Sequence, residues 1–127
     1  MKLKHLLIIN AVIALAYGLG ELLVPATMLS LYGIAYSPGA SLLAQNFGGA
    51  LIAIGLVAWF ARNVTDAQAQ LAIILAFFIS EGIGVVVLLL GTVSGVMSAV
   101  GWSGVGIQLL LALGYAYFLF RRPHTVS

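Results

Sequence analysis

Long apolar runs separated by short polar breaks set the pattern of this chain. Four of them approach or exceed the roughly 20 apolar residues that a bilayer-spanning helix needs. The first runs over 3–24 and is stopped by Pro25, and the second over 41–61, ending at Arg62-Asn63. The third covers 67–90, up to Gly91, and the fourth 100–120, up to Arg121-Arg122-Pro123. The connections between them leave no room for a soluble domain. The pattern predicts an all-α, integral membrane four-helix bundle forming a single domain over residues 1–127. In the first connection, Ala26–Leu31 reads as a short interfacial helix burying Met28, Leu29 and Leu31. The second outer connection, Gly91–Gly101, is rich in small residues and reads as a loop with little structure.

Within each run, helical spacing groups polar and small residues on one stripe. Asn10, Ala14, Tyr17 and Glu21 share a face of the first helix. Asn46, Gly49, Ala53 and Phe60, with Gln45 beside them, share a face of the second. Phe77, Glu81, Gly84 and Leu88 align on the third, and Gly104, Gln108, Leu111 and Tyr115 on the fourth. Lipid satisfies no hydrogen bond, so such stripes are expected to face the bundle interior. Helices one and three also carry comparable patches, Gly18-Leu19-Gly20-Glu21 and Ser80-Glu81-Gly82-Ile83-Gly84. Helices two and four both open on glycines and end on aromatics and arginine. The pattern allows two repeated helical hairpins of the same orientation.

Composition sharpens the class. Only 6% of the residues are charged and 63% are hydrophobic, with mean hydropathy +1.19; a soluble domain carries about 25% charged residues. A net charge of +2 is too small for a nucleic-acid surface. There is no cysteine, which removes disulfides, thiol catalysis and thiolate metal sites. Lys2 and Lys4 precede the first helix, Arg62 follows the second, and Arg121 and Arg122 follow the fourth, while the other two connections are uncharged. By the positive-inside rule both termini are cytoplasmic, in a multi-pass protein of the cell (inner) membrane. The basic start of the chain suits a signal peptide, but its apolar run is too long, so the segment reads as a retained first helix.

Chemistry rests on two acids. Glu81 lies near the middle of the third run, where a carboxylate costs about 2.5–3.5 kcal/mol by insertion scales and commonly marks function. Glu21 lies near the outer end of the first. With Tyr17, Gln45, Asn46, Ser80 and Gln108 they outline an outward-opening polar pocket for a ligand, a cation or a proton. The competing reading is structural: Glu81 protonated and bonded to Gln108 or a carbonyl, fixing helix register. His5 and His124 lie at the chain ends, with no second histidine at metal-ligand spacing. The Gly-x-Gly pairs follow no strand and are not dinucleotide fingerprints. No cofactor is indicated. Ala14-x-x-x-Gly18, Gly49-x-x-x-Ala53 and Ala112-x-x-x-Ala116 suit close helix packing, within the chain, in a homo-oligomer or in a larger membrane complex.

A first helix ending in LLVP, followed by LYG, and a second of the form FGGALIAIGLVAWFAR resemble the DoxX-like group of small bacterial membrane proteins. Members commonly carry an arginine where this chain has Gln45-Asn46. The resemblance implies a four-helix fold and, from one named member, a subunit of a quinone-linked sulfur oxidoreductase. It transfers no catalytic residue. Three expectations follow: a non-enzymatic binding or accessory subunit, a proton-coupled carrier of a small solute using Glu81, and a quinone-linked oxidoreductase subunit.

Overall fold

The computed structural model describes residues 2–121, so Arg122 and His124 lie outside the described residues. The described residues are all-α, with five helices in chain order: α1 Leu3–Leu23, α2 Pro25–Leu31, α3 Pro38–Ala61, α4 Ala67–Val93 and α5 Gly101–Arg121. The four long helices are each long and apolar enough to cross a membrane. Their outer faces agree with that reading: Leu110 is 71% exposed and Phe120 74%, with many large apolar side chains beside them. A water-soluble protein rarely leaves so much contiguous apolar surface open. The protein is a small multi-span membrane protein whose outer faces suit lipid.

Local chemistry explains the helix ends. Val24 closes α1, its N–H bonding Gly20 O at 2.9 Å, and Pro25 starts α2 at a position where a missing N–H costs nothing. Helix α2 matches the short helix expected in the first connection, but its burial differs. Leu29 is buried, Met28 is half-buried against Gly20, and Leu31 is 53% exposed. A single helical face of a seven-residue helix reaches the bundle, and Leu31 lies off it. Gly33, at φ 72°, ends α2 in a Schellman motif: its N–H bonds Ser30 O, and Ile34 N–H bonds Leu29 O.

Helix α3 begins three residues before the expected start, because Ser37 caps it and Pro38 fills its first turn; Ser37 Oγ accepts from Ala40 N at 3.0 Å. Asp66 caps α4 in the same way, accepting from Ala69 N at 2.9 Å. Gly91 does not stop α4, which runs on to Val93 with Thr92 Oγ1 donating to Leu88 O at 2.7 Å. The left-handed residue after it is Gly95, at φ 85°.

The helices pair as two antiparallel hairpins, α1 with α3 and α4 with α5. In the first, the backbones meet at glycine. A Cβ placed on Gly48 would stand 2.7 Å from Gly18 O and 2.8 Å from Leu22 N. The hairpins join at two levels. Toward the charged end, Leu6, Leu7, Ala11, Ala58, Ala61, Ile74, Phe77, Leu111 and Tyr115 form a common core. At the opposite end the two loops clasp: Ser98 N–H donates to Tyr32 O at 2.7 Å and Ser98 Oγ to Leu31 O at 2.9 Å. The connection after α4 is a loop, as expected, and it is anchored, since the tight turn at Gly95 brings Ser98 against Gly33.

Candidate functional site

Four contacts fix the register of α4 on α5. Phe77 stacks on Tyr115, with centroids 5.3 Å apart and planes at 25°. One layer on, the Gln108 side chain fills the space beside Gly84. Leu88 then packs at Gly104, and Thr92 at Gly101. Glu81 is one helical turn from Phe77 and nearly one from Gly84, so it lies between the Phe77–Tyr115 layer and the Gly84–Gln108 layer. It is 8% exposed. No hydrogen bond or ion pair joins its carboxyl to another described residue. The Oε1 of Gln108 is enclosed and also has no hydrogen-bond partner among the described residues. Glycine at 84 lets the Gln108 amide lie in this position, because a Cβ there would make the amide move.

Beneath this pair, toward the charged end, Asn10 Nδ2 donates to the Tyr115 hydroxyl at 2.6 Å. This buried bond links α1 to α5 and ties the two hairpins together beside the Phe77–Tyr115 stack.

The other acid sits in the first hairpin. Glu21 is 6% exposed, with its Cβ packed against Gly48. Its carboxyl likewise has no hydrogen bond or ion pair to a described residue. Gln45, on the facing helix, donates through Nε2 to Leu22 O at 3.2 Å. Tyr17 is half-buried on the Glu21 face of α1. Tyr32, in the connection after α2, belongs to this group: burial pushes its hydroxyl up to about 12, and the acidic groups of Glu21 and Tyr17 add to the effect.

Of the residues the sequence singles out, Glu81 and Gln108 are therefore neighbours on the second hairpin, and Glu21, Gln45 and Tyr17 are neighbours on the first. Asn46 and Ser80 are exposed. The expected inward face of the second long helix, Asn46, Gly49, Ala53 and Phe60, points outward instead; Ala44, Gly48, Gly55, Ala58 and Ala61 are buried. The reason is the close approach at Gly18 and Gly48, which needs a face of glycine and alanine and turns the amide of Asn46 away. Ser80 is displaced because the adjacent Glu81 takes the position facing α5.

The stripes thus form two polar clusters, one in each hairpin. Two hollows lie away from these clusters, and none of Glu21, Gln45, Asn46, Ser80, Glu81 and Gln108 lines either. One is an apolar groove of 360 Å³ between α3 and α4, lined by Ala53, Val57, Ala72, Ala76 and Phe77 among others. The second, of 340 Å³, lies at the charged end of the molecule. Tyr32, near Glu21, and Ser98, in the loop clasp, carry no local sequence signal of these roles. No group of three His, Asp or Glu able to hold a metal ion occurs among the described residues. What the Glu81–Gln108 layer offers chemically is two hydrogen-bond acceptors on facing helices, a carboxyl and an amide oxygen, neither of which has a protein donor among the described residues.

No family model matches the chain, and no curated protein or solved structure matches it.

Proposed function

We propose that this protein is a small, non-enzymatic binding or accessory subunit that holds a cationic or hydrogen-bond-donating group between Glu81 and Gln108. One observation carries the reading: the enclosed Gln108 Oε1 and, about a turn away, the carboxyl of the mostly buried Glu81 have no protein donor among the described residues. An unsatisfied buried polar group costs about 1–3 kcal/mol, and a bound donor offsets that cost. Ionisable groups inside a membrane span are expensive and are retained mainly where they bind or relay.

Lys2, Lys4, Arg62 and Arg121 at one end support a cytoplasmic placement of that end in the inner membrane, with the Glu81 layer in the outer half. The small residues lining the α3–α4 groove suit a packed helix of another subunit. Native mass spectrometry of protein released from lipid nanodiscs tests the reading. Wild type should retain a small-molecule adduct that Glu81→Gln and Gln108→Leu both lose. A wild-type protein that is adduct-free and strictly monomeric would overturn it.

A second reading, the proton-coupled carrier, is favoured by the division of the molecule. Each hairpin holds its own buried acid, and the hairpins meet mainly at a core near one end and a loop clasp at the other. Rocking of one helical unit on another is the usual basis of alternating access. Solute flux into proteoliposomes that is the same in wild type and Glu81→Gln would remove this reading.

A further inference from the structure

At the charged end, Lys2, Lys4, Arg62 and Asn63 line a hollow of 340 Å³, with Leu7 and Ala61 buried behind them. Three of its lining residues are basic and none is acidic. The nearest acid in sequence, Asp66, is engaged elsewhere, capping α4 through Ala69 N. Arg62 is held in place from one side: Nη1 donates to Trp59 O at 2.5 Å, and the guanidinium lies 3.8 Å from the centroid of the Trp59 ring. Its other N–H groups remain available as donors. Lys2, Leu3 and Lys4 bring the start of the 21-residue α1 to the hollow, so the positive end of that helix dipole adds to the three cations. Like charges gathered around one hollow repel one another, and a bound anion relieves the repulsion.

We propose that this hollow seats the phosphate of an anionic phospholipid headgroup, with Lys2, Lys4 and Arg62 as its cationic contacts. The chemistry recognised is a phosphate oxyanion. The lipid is favoured as its source because the hollow lies at the ends of membrane-spanning helices and has apolar side chains behind its cations. Its volume is within the range of roughly 300–1,000 Å³ typical of small-ligand sites. The proposal is independent of the reading of Glu81.

Native mass spectrometry of the full chain, with phosphatidylglycerol and phosphatidylcholine of matched acyl chains, tests it. Wild type should retain phosphatidylglycerol in preference. Lys4→Gln and Arg62→Gln should each weaken that preference roughly fivefold, the effect of about one basic side chain near an anionic surface. Arg62→Lys keeps the charge and should keep most of the preference. Arg121→Gln, at the same end but outside the hollow, should leave it unchanged. An equal loss in Arg121→Gln, or an undiminished preference in the Lys4→Gln/Arg62→Gln double variant, would overturn the site. Displacement of the lipid by an equimolar amount of inorganic phosphate would overturn the lipid as its source.

Discussion

The amide of Asn10 donates to the hydroxyl of Tyr115 at 2.6 Å, joining residues 105 positions apart and two different hairpins. Both groups are buried, beside the stacked ring of Phe77. Interhelical hydrogen bonds in membranes contribute about 0.6 kcal/mol on average and up to about 1.7. A double-mutant cycle with Asn10→Ala and Tyr115→Phe, read by reversible unfolding in mixed micelles, should give a coupling energy in the upper part of that range. Strictly additive single effects would show that this bond does not hold the two hairpins together.

Neighbouring glycines of α3 should respond differently to the same change. Gly48→Ala puts a methyl group against the backbone of α1, 2.7 Å from Gly18 O, where neither backbone yields easily. It should destabilise by about 1–3 kcal/mol, as overpacking typically does. Gly49→Ala meets nothing within 4 Å and should leave stability unchanged or raise it by up to about 1 kcal/mol, the gain in helix propensity. Equal effects in a thermal-denaturation assay would place the α1–α3 contact elsewhere.

Gln108→Leu separates stability from binding. The substitution removes an enclosed acceptor that has no partner while roughly conserving volume. Ligand-free protein should therefore unfold at the same or a higher temperature, as removal of an unsatisfied buried group predicts. Adduct retention at Glu81 should fall at the same time. A clear loss of thermal stability in ligand-free protein would instead show that Gln108 holds the two helices together.

Tyr32 gives a pH dependence with a definite sign. Burial raises its hydroxyl from 10.0 to about 12 in the folded protein. The unfolded chain then ionises first as pH rises, so the stability contributed by Tyr32 is complete below pH 10 and is lost as pH climbs toward about 12. Comparison of wild type with Tyr32→Phe across this interval isolates the effect from lysine titration. The stability of wild type relative to the variant should decline with rising pH. A constant difference would mean that the hydroxyl is solvated in the folded state.

Much of this architecture is legible in the chain itself. The four spans, the short helix after Pro25 and the segregation of basic residues to one end follow from local composition. A helix in lipid must satisfy its own backbone hydrogen bonds, so length and hydropathy suffice to locate it. Burial of Glu21 and Glu81 was legible too, because a carboxyl in a long apolar run finds few acceptable places other than against protein. The inward face of α3 was not. An apolar helix is tolerated by lipid on almost every side, so one exposed amide such as Asn46 gives a weak signal of rotation. The backbone approach of Gly18 and Gly48 decides that rotation, and it depends on which helix lies opposite. The same holds for the unpaired Gln108 oxygen and for the basic hollow around Lys2, Lys4 and Arg62. Sequence alone determined which segments enter the membrane and which charges stay outside it, because those are properties of single helices. The tertiary structure decided which polar groups meet and which remain without partners, because that depends on the contact between helices.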